Sequence, residues 1–370
     1  RSIVKEELDV IVAKHGDERR SRFVADEGEM RDEDLIAERD VVVTLTAGGY
    51  VKRTDTALYR QQRRGGRGVK GAALRQDDVV NHFFVTTHAW ILFFTNKGRV
   101  YRAKAYELPE AGRDARGQHV ANFLSLQGDE AVTQVLSLKD YESAPFLVLA
   151  TKQGIVKKTP LTEYNSNRSG GLIAINLKED DELISAQLVG EKNDLLLVSR
   201  KGYSVRFTAD DSTLRPMGRA TSGVIGMRFK SSDDHLLSMD VVQDGAYVVT
   251  ATDGGFAKRT SVDEWNSKGR GTQGVRAMRL SEKRGGLVGA MVAKEEDQIF
   301  AIASNGVVIR TTVSDIRATG RDTMGVRLMN LGEEDVLVSI ARAAERDDDD
   351  DASDTGDVPP TETPNEGVAE

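Results

Sequence analysis

Tyr247-Val248-Val249-Thr250-Ala251-Thr252-Asp253-Gly254-Gly255-Phe256-Ala257-Lys258-Arg259-Thr260 carries the pattern that decides the architecture. An apolar, β-branched run ends in a short polar turn closed by glycine, and a basic strand leaves that turn. A two-stranded hairpin accounts for both halves. β-Branched side chains favour extended backbone, and glycine enters the φ > 0 region of a tight turn without steric cost.

The same pattern recurs six times, as Val41-Val42-Val43-Thr44 to Gly49, Ile91-Leu92-Phe93-Phe94 to Gly98, Leu147-Val148-Leu149-Ala150 to Gly154, Leu195-Leu196-Leu197-Val198 to Gly202, Tyr247-Val248-Val249-Thr250 to Gly255, and Ile299-Phe300-Ala301-Ile302 to Gly306. The anchor glycines are spaced 49, 56, 48, 53 and 51 residues apart. Other columns keep the register. Ten residues past the anchor stand Tyr59, Leu108, Tyr164, Trp265 and Ile316, with Leu214 two positions late. Nineteen past it stand Gly68, Gly117, Gly274 and Gly325, with Gly171 and Gly223 shifted by two. A short alternating strand follows each second glycine, as in Gly274-Val275-Arg276-Ala277-Met278, and a fourth strand ends the unit, as in Leu287-Val288-Gly289-Ala290-Met291-Val292. Four strands in a unit of about fifty residues, repeated six times, predict an all-β fold of radial blades, an open solenoid being the structural alternative.

Around this repeat, three segments are expected. Residues 1–40 read as the end of an amphipathic helix, from Val4 to His15 with Gly16 as its cap, followed by a charged connector. Residues 41–344 hold the blades, and residues 345–370 read as a disordered acidic tail. The chain starts without Met and in mid-pattern, as a piece of a longer polypeptide would. No apolar run reaches the roughly 18 residues of a membrane span. The absence of cysteine excludes disulfides and thiolate chemistry and agrees with a cytoplasmic address.

The formal charge of −8 conceals an asymmetry. Residues 345–370 carry −10 and residues 1–40 carry −5, which leaves +7 on residues 41–344. A basic body with an acidic appendage suits a protein that handles a polyanion.

Two sets of residues are candidates for that contact. In the first unit the segment before the second glycine reads Gln62-Arg63-Arg64-Gly65-Gly66-Arg67-Gly68, with Lys70 beyond it. Three guanidinium forks match phosphate oxygens, and glycines let backbone N–H groups approach the same phosphates. Paler versions place Arg113, Arg270 and Arg321 in the corresponding segments of later units. The second set is a column four residues past every anchor, Arg53, Arg102, Lys158, Arg206, Arg259 and Arg310, joined one position earlier by Lys52, Lys157 and Lys258. If the blades are equivalent, this column forms a ring of positive charge that a bent duplex can follow. The opposing reading makes these residues ordinary strand-end guards.

Other chemistry is set aside. GxxxxGK[ST] is not matched, which argues against a nucleotide site, and the five histidines lack metal-ligand spacing. Aspartates 347–351 lack the interposed glycine and closing glutamate of a cation loop. The aromatic residues Tyr164 and Trp265 lie in a repeat column and are expected to pack rather than stack on bases.

Gln62 to Gly68 resembles the gyrase A box, the signature of the carboxy-terminal domain of bacterial gyrase A subunits. The similarity extends to Glu38-Arg39-Asp40-Val41-Val42-Val43-Thr44-Leu45, Gly98-Arg99-Val100-Tyr101, Val156-Lys157-Lys158-Thr159, Gly255-Phe256-Ala257-Lys258-Arg259-Thr260 and the acidic tail. The resemblance implies a six-bladed β-pinwheel that exchanges strands between blades and wraps double-stranded DNA around its edge, with no bond chemistry of its own. It further implies a place in an ATP-dependent type II topoisomerase that introduces negative supercoils. Its partners would be the gyrase B subunit, together with the rest of the gyrase A subunit, in an A2B2 assembly. ATP and Mg2+ would be used on other domains, with no cofactor on this one. The intact box favours gyrase over the A-type subunit of topoisomerase IV. A propeller scaffold for protein partners, of the kelch or WD-repeat kind, is the alternative from another class.

Overall fold

The structure of the 370-residue chain, a computed structural model, describes residues 1–17, 32–46, 48–56, 80–112, 115–166, 168, 170–332 and 334–342. It divides into two compact units, Arg1–Ala37 and Glu38–Glu370. The first holds helix α1 (Ser2–His15), whose apolar residues Ile3, Val4, Leu8 and Ile11 are exposed within that unit. It ends at the expected glycine, but Gly16 adopts an extended backbone (φ −71°) instead of the left-handed cap.

The second unit is built of antiparallel blades. Blade 1 has β1 (Asp40–Thr46), β2 (Tyr50–Asp55) and β3 (Val80–Thr86). Blade 2 supplies β4 (Trp90–Thr95), β5 (Arg99–Lys104), β6 (Gln118–His119) and β7 (Val132–Leu138). Blade 3 supplies β8 (Phe146–Thr151), β9 (Ile155–Pro160), β10 (Leu172–Ile173) and β11 (Leu183–Val189). Blade 4 supplies β12 (Asp194–Ser199), β13 (Tyr203–Thr208), β14 (Val224–Ile225) and β15 (Leu236–Val241). Blade 5 supplies β16 (Tyr247–Thr252), β17 (Phe256–Ser261), β18 (Val275–Arg276) and β19 (Leu287–Ala293). Blade 6 supplies β20 (Gln298–Ala303), β21 (Val308–Thr312), β22 (Val326–Arg327) and β23 (Leu337–Arg342).

The sheets do not respect these units. Their orders are β3-β1-β2-β6, β10-β5-β4-β7, β11-β8-β9-β14, β15-β12-β13-β18 and β19-β16-β17-β22, with β21-β20-β23 last among the described residues. In each of the first five, the short strand after the second glycine is lent to the preceding blade. The long fourth strands β7, β11, β15, β19 and β23 lie side by side, each against the next, so the lent strands form the opposite, outer edges.

Strand exchange explains both glycine columns. Each anchor closes its hairpin by donating its N–H to the last residue of the incoming strand, as Gly98 does to Thr95 and Gly202 to Ser199. The carbonyls of four anchors then accept two N–H groups of the next unit, Ala174 and Ile175 on Gly98, Gly226 and Met227 on Gly154, Ala277 and Met278 on Gly202, and Leu328 and Met329 on Gly255, while Gly49 accepts that of Val120. The second glycine of that next unit lies over the same hairpin. A Cβ on Gly223 (φ +81°) would stand 2.6 Å from the Val156 carbonyl oxygen, and one on Gly325 (φ +73°) 2.6 Å from that of Ala257. Among the described residues, both columns hold glycine at positive φ, and at Gly117, Gly223, Gly274 and Gly325 the second also lies against a backbone carbonyl.

Burial follows the same logic. Alternate residues of one strand serve different neighbours: Ile91 and Phe93 join a cluster with Val41, Val43 and Val51 of blade 1, whereas Leu92 and Phe94 join one with Leu147 and Leu149 of blade 3. Each successive pair of blades shares such a core, which is why the first strands read as continuous apolar runs rather than alternating ones. Full burial of each large side chain contributes roughly 1.5–3 kcal/mol. Leu108, Tyr164, Leu214, Trp265 and Ile316 of the ten-past column are all buried, as expected of packing residues; Tyr59 lies outside the described residues.

Gly223→Ala is expected to lower unfolding stability by about 2–4 kcal/mol, since it combines a left-handed backbone with a clash against a fixed carbonyl. Gly269→Ala, at a glycine with open space around it, should change stability by less than about 0.5 kcal/mol. Urea denaturation of the two variants provides the comparison.

Candidate nucleic-acid interface

Apart from Arg310, the column three and four residues past the anchors faces inward, and this corrects the expected ring of exposed charge. Lys157, Lys158 and Lys258 are fully buried and Lys52 nearly so. Their ammonium groups donate to carbonyl oxygens of the following blade, and Lys157 also to one of its own unit. Lys52 binds those of Gly112 (3.0 Å) and Ala115 (2.8 Å), and Lys258 those of Gly320 and Arg321 (both 2.6 Å). Lys157 binds the carbonyls of Ala174 and Arg219, and Lys158 that of Ala209 (2.7 Å) together with the Asp211 carboxylate (2.8 Å).

The arginines of the same column do likewise. Arg53 Nε donates to Leu108 O (2.9 Å), Arg206 Nη1 to Val262 O and Trp265 O (both 3.0 Å), and Arg259 Nε to Ile316 O (2.8 Å). Each of these three arginines also meets an acid: Arg53 Glu110 at 2.9 Å, Arg206 Asp194 at 2.7 Å and Arg259 Glu295 at 2.7 Å. Arg102 donates to Asn165 Oδ1 (2.9 Å) and lies over the Trp90 ring at 4.2 Å; Arg310, the exposed member, lies 5.7 Å from the Phe300 centroid. The arginine acceptors lie on, or at the residue that ends, the short 3₁₀ turns at 105–107, 262–264 and 313–315, and most of the lysine acceptors in the loops beyond, where carbonyls outside regular ladders accept from cations of the previous blade. The column is thus a set of staples between successive blades.

Gln62, Arg63, Arg64, Gly65, Gly66, Arg67, Gly68, Lys70 and Arg113 lie outside the described residues. Arg321 is about one-third exposed and stands 3.8 Å from Glu264. Arg270 differs: its Nε donates to Thr213 O (2.6 Å) and Nη1 to Ile225 O (3.1 Å), so its guanidinium is turned onto blade 4.

Solvent-facing cations sit instead on and beside the lent strands. Arg276 and Arg327, each two residues past a second glycine, are exposed and pair across the sheet edge with Tyr203 and Phe256. Exposed Arg116 lies over the Tyr50 ring at 3.8 Å and exposed Lys230 over Tyr203 at 4.0 Å. Exposed Arg228 and Arg279 hold the position five past the second glycine. Arg276 and Arg279 clasp the exposed Asp322 carboxylate (2.9 and 2.8 Å), which their hydrogen bonds hold well below the usual carboxylate range. None of Arg116, Arg228, Lys230, Arg276, Arg279 and Arg327 was a sequence candidate. Counting two and five residues past the second glycine picks out Arg276 and Arg327, and Arg228 and Arg279, but not Arg116 or Lys230.

Known proteins share this repeat. A family model described as DNA gyrase C-terminal domain, beta-propeller, matches residues 40–87, 89–139, 145–189, 193–243, 246–294 and 297–344, one match per blade. The chain belongs to this family. It is similar to the DNA gyrase A subunit of Streptomyces coelicolor (63% identical over 351 residues, 93% of this chain and 41% of that protein). It is likewise similar to that of Mycolicibacterium smegmatis (58% over 365 residues, 98% of this chain and 43% of that protein). The chain thus spans about two fifths of the length of these curated relatives. Among solved structures it resembles the C-terminal domain of DNA topoisomerase IV (TM-score 0.71, 30% identity, covering 83% of this chain and 94% of that one). It also resembles a DNA gyrase A C-terminal domain (TM-score 0.66, 25% identity, covering 82% and 99%).

In this gyrase-family fold the buried lysines give stability a pH signature. Burial pushes the Lys157 ammonium down to about 7 and Lys258 to about 8; Glu163 opposes the first shift, Glu264 and Asp322 the second, while Arg219 and Arg321 add to them. The unfolded chain keeps both protons to about pH 10.4. Between about pH 8 and 10 the unfolded state therefore binds more protons than the folded one, and these groups add stability as pH rises through that window. The unfolding free energy of the chain minus that of Lys157→Met Lys258→Met should increase from pH 7.5 to 9.5, by on the order of 1 kcal/mol, in paired urea titrations.

Proposed function

We propose that this domain binds and bends double-stranded DNA along the outer edges of its blades, as the wrapping module of a DNA gyrase A subunit. The observation that carries the reading is the set of solvent-facing cations at the lent strands, the outermost elements of the sheets: Arg276 and Arg327 on them, and Arg116, Arg228, Lys230 and Arg279 within a few residues of them. Polar phosphate contacts repeated from blade to blade offer affinity without base readout. Binding would then follow counterion release, with log Kobs falling by roughly 0.9 per phosphate contact for each decade of salt.

Bending stiff duplex costs on the order of 1–6 kcal/mol for 40–90° over 20–30 base pairs, which several contacts in sequence must offset. Arg63, Arg64 and Arg67, with Gln62, Gly65, Gly66, Gly68 and Lys70, remain the strongest such contact proposed from sequence. In the full enzyme, in the cytoplasm, the domain would act with the gyrase B subunit beside the rest of its own polypeptide, with ATP and Mg2+ handled elsewhere. Its contribution to negative supercoiling would be geometric, through wrapping of one handedness. The reading as a topoisomerase IV A-type domain draws on the structural likeness to that enzyme's C-terminal domain. It predicts DNA binding without chiral wrapping.

Ligation of nicked circular DNA in the presence of the chain separates these outcomes. Trapped superhelicity of one sign is expected, with relaxed product for the topoisomerase IV reading. Arg63→Ala Arg64→Ala Arg67→Ala should abolish most of the trapped superhelicity while leaving the fold intact and weakening simple binding less. Near-normal wrapping by that variant would reject the role of the segment. Loss of all salt-dependent binding by the unaltered chain would reject DNA as the partner.

A further inference from the structure

The residue four positions before the second glycine is Arg64, Arg113, Arg219, Arg270 and Arg321 in units 1, 2, 4, 5 and 6. Arg219 was not among the sequence candidates, and what its loop rests on differs between blades. In blade 4, Lys157 of blade 3 holds the carbonyl of Arg219, with that of Gly218 at 3.5 Å, and Glu163 accepts the Arg219 backbone N–H at 3.0 Å. In blade 6 the device is repeated by blade 5: Lys258 holds the carbonyls of Gly320 and Arg321, and Glu264 accepts the Arg321 N–H at 2.9 Å. Lysine and glutamate stand three and nine residues past their anchor in both cases, so the peptide carrying the arginine is gripped on both sides.

Blade 5 lacks this grip. The residue three past the anchor of blade 4 is Val205 and the residue nine past is Asp211, which pairs instead with Lys158. The arginine of the loop fills the gap, Arg270 reaching inward to Thr213 O and Ile225 O. By contrast Arg219 has one long guanidinium contact, Nη1 to Ile173 O at 3.4 Å, and Arg321, about one-third exposed, has a buried Nε that makes no hydrogen bond and stands 3.8 Å from Glu264.

We propose that Arg219 and Arg321 contact DNA phosphates, that Lys157 and Lys258 are their positioning residues, and that Arg270 is a structural staple. Among the described residues, the charges that these loops present then fall on blades 4 and 6 and skip blade 5. A lysine whose amino group satisfies the loop carbonyls frees the arginine beyond it; without that lysine the arginine is consumed within the fold. The inference rests on the DNA-binding reading above and specifies which of its residues take part.

The test measures duplex affinity against salt, together with urea unfolding, for single variants of the 370-residue chain. Arg219→Ala and Arg321→Ala should each weaken binding about 3- to 10-fold near 100 mM salt and reduce the salt slope by about 0.9, at an unchanged unfolding midpoint. Arg270→Ala should lower the midpoint and leave the slope unchanged. Lys258→Met should reproduce the slope of Arg321→Ala, and the double variant should bind no worse than either single one.

A normal salt slope in Arg219→Ala and Arg321→Ala, or a lost contact with an intact midpoint in Arg270→Ala, overturns the assignment. Additive effects of Lys258→Met and Arg321→Ala overturn the positioning role alone. Should Lys258→Met fail to fold, Lys157→Met paired with Arg219→Ala gives the same cycle. A chain with no salt-dependent binding would defeat the DNA reading itself, a result distinct from each of these.

Discussion

Each blade leaves one hairpin edge unpaired until the next repeat arrives, and most of the structure follows from that incompleteness. The second strand of a unit has a neighbour on one side only, and its outer edge is filled by two residues lent from the unit that follows, such as Val275 and Arg276 on Ser204 and Tyr203. Two residues cannot hold a blade in place by backbone pairing alone. The junction is therefore reinforced by the anchor-glycine carbonyl, by a shared apolar core and by cations on the carbonyls of the 3₁₀ turn. A unit excised from the repeat would lose all of these together, so stability belongs to pairs of blades rather than to blades.

That dependence explains how much the sequence discloses. Turn glycines, apolar strand starts and the ten-past column answer to constraints within one repeat or between neighbours of fixed spacing, and they recur visibly. Strand exchange leaves a signature too, in the second glycine, but only the sheet order reveals that Gly223 lies over Val156 instead of over its own hairpin.

The direction of the basic column was not legible. Periodicity establishes that Arg53, Arg102, Lys158, Arg206, Arg259 and Arg310 share an orientation, and leaves two choices. A lysine with an apolar stem enters a core readily if its amino group finds acceptors. Those acceptors, such as Ala209 O for Lys158, lie about fifty residues away in sequence. The position before each buried cation gives no hint of them. Aromatic residues at the start of the facing strand offer a partial clue, since Trp90, Phe146 and Tyr247 lie under Arg102, Lys158 and Arg259, and Asp194 replaces the ring where Arg206 stands.

The inward column also changes what the net charge of the body means. A charge of +7 over residues 41–344 suggests a strong outer field, yet the cations most regular in sequence are spent on carbonyls and carboxylates between blades. A buried cation of this kind stabilises a junction only while its acceptors remain in place, because an ammonium left without them bears its full desolvation cost. The field available to a polyanion comes from fewer groups on the lent strands, and part of it is already answered: Arg276 and Arg279 both hold Asp322. A phosphate approaching that pair meets the geometry suited to it, since carboxylate and phosphate oxygens fit the same guanidinium forks, but must compete with the resident acid. On the DNA-binding reading proposed above, contact there would be weakened without being abolished, which favours a track along which a duplex can be bent and released over one that captures it permanently.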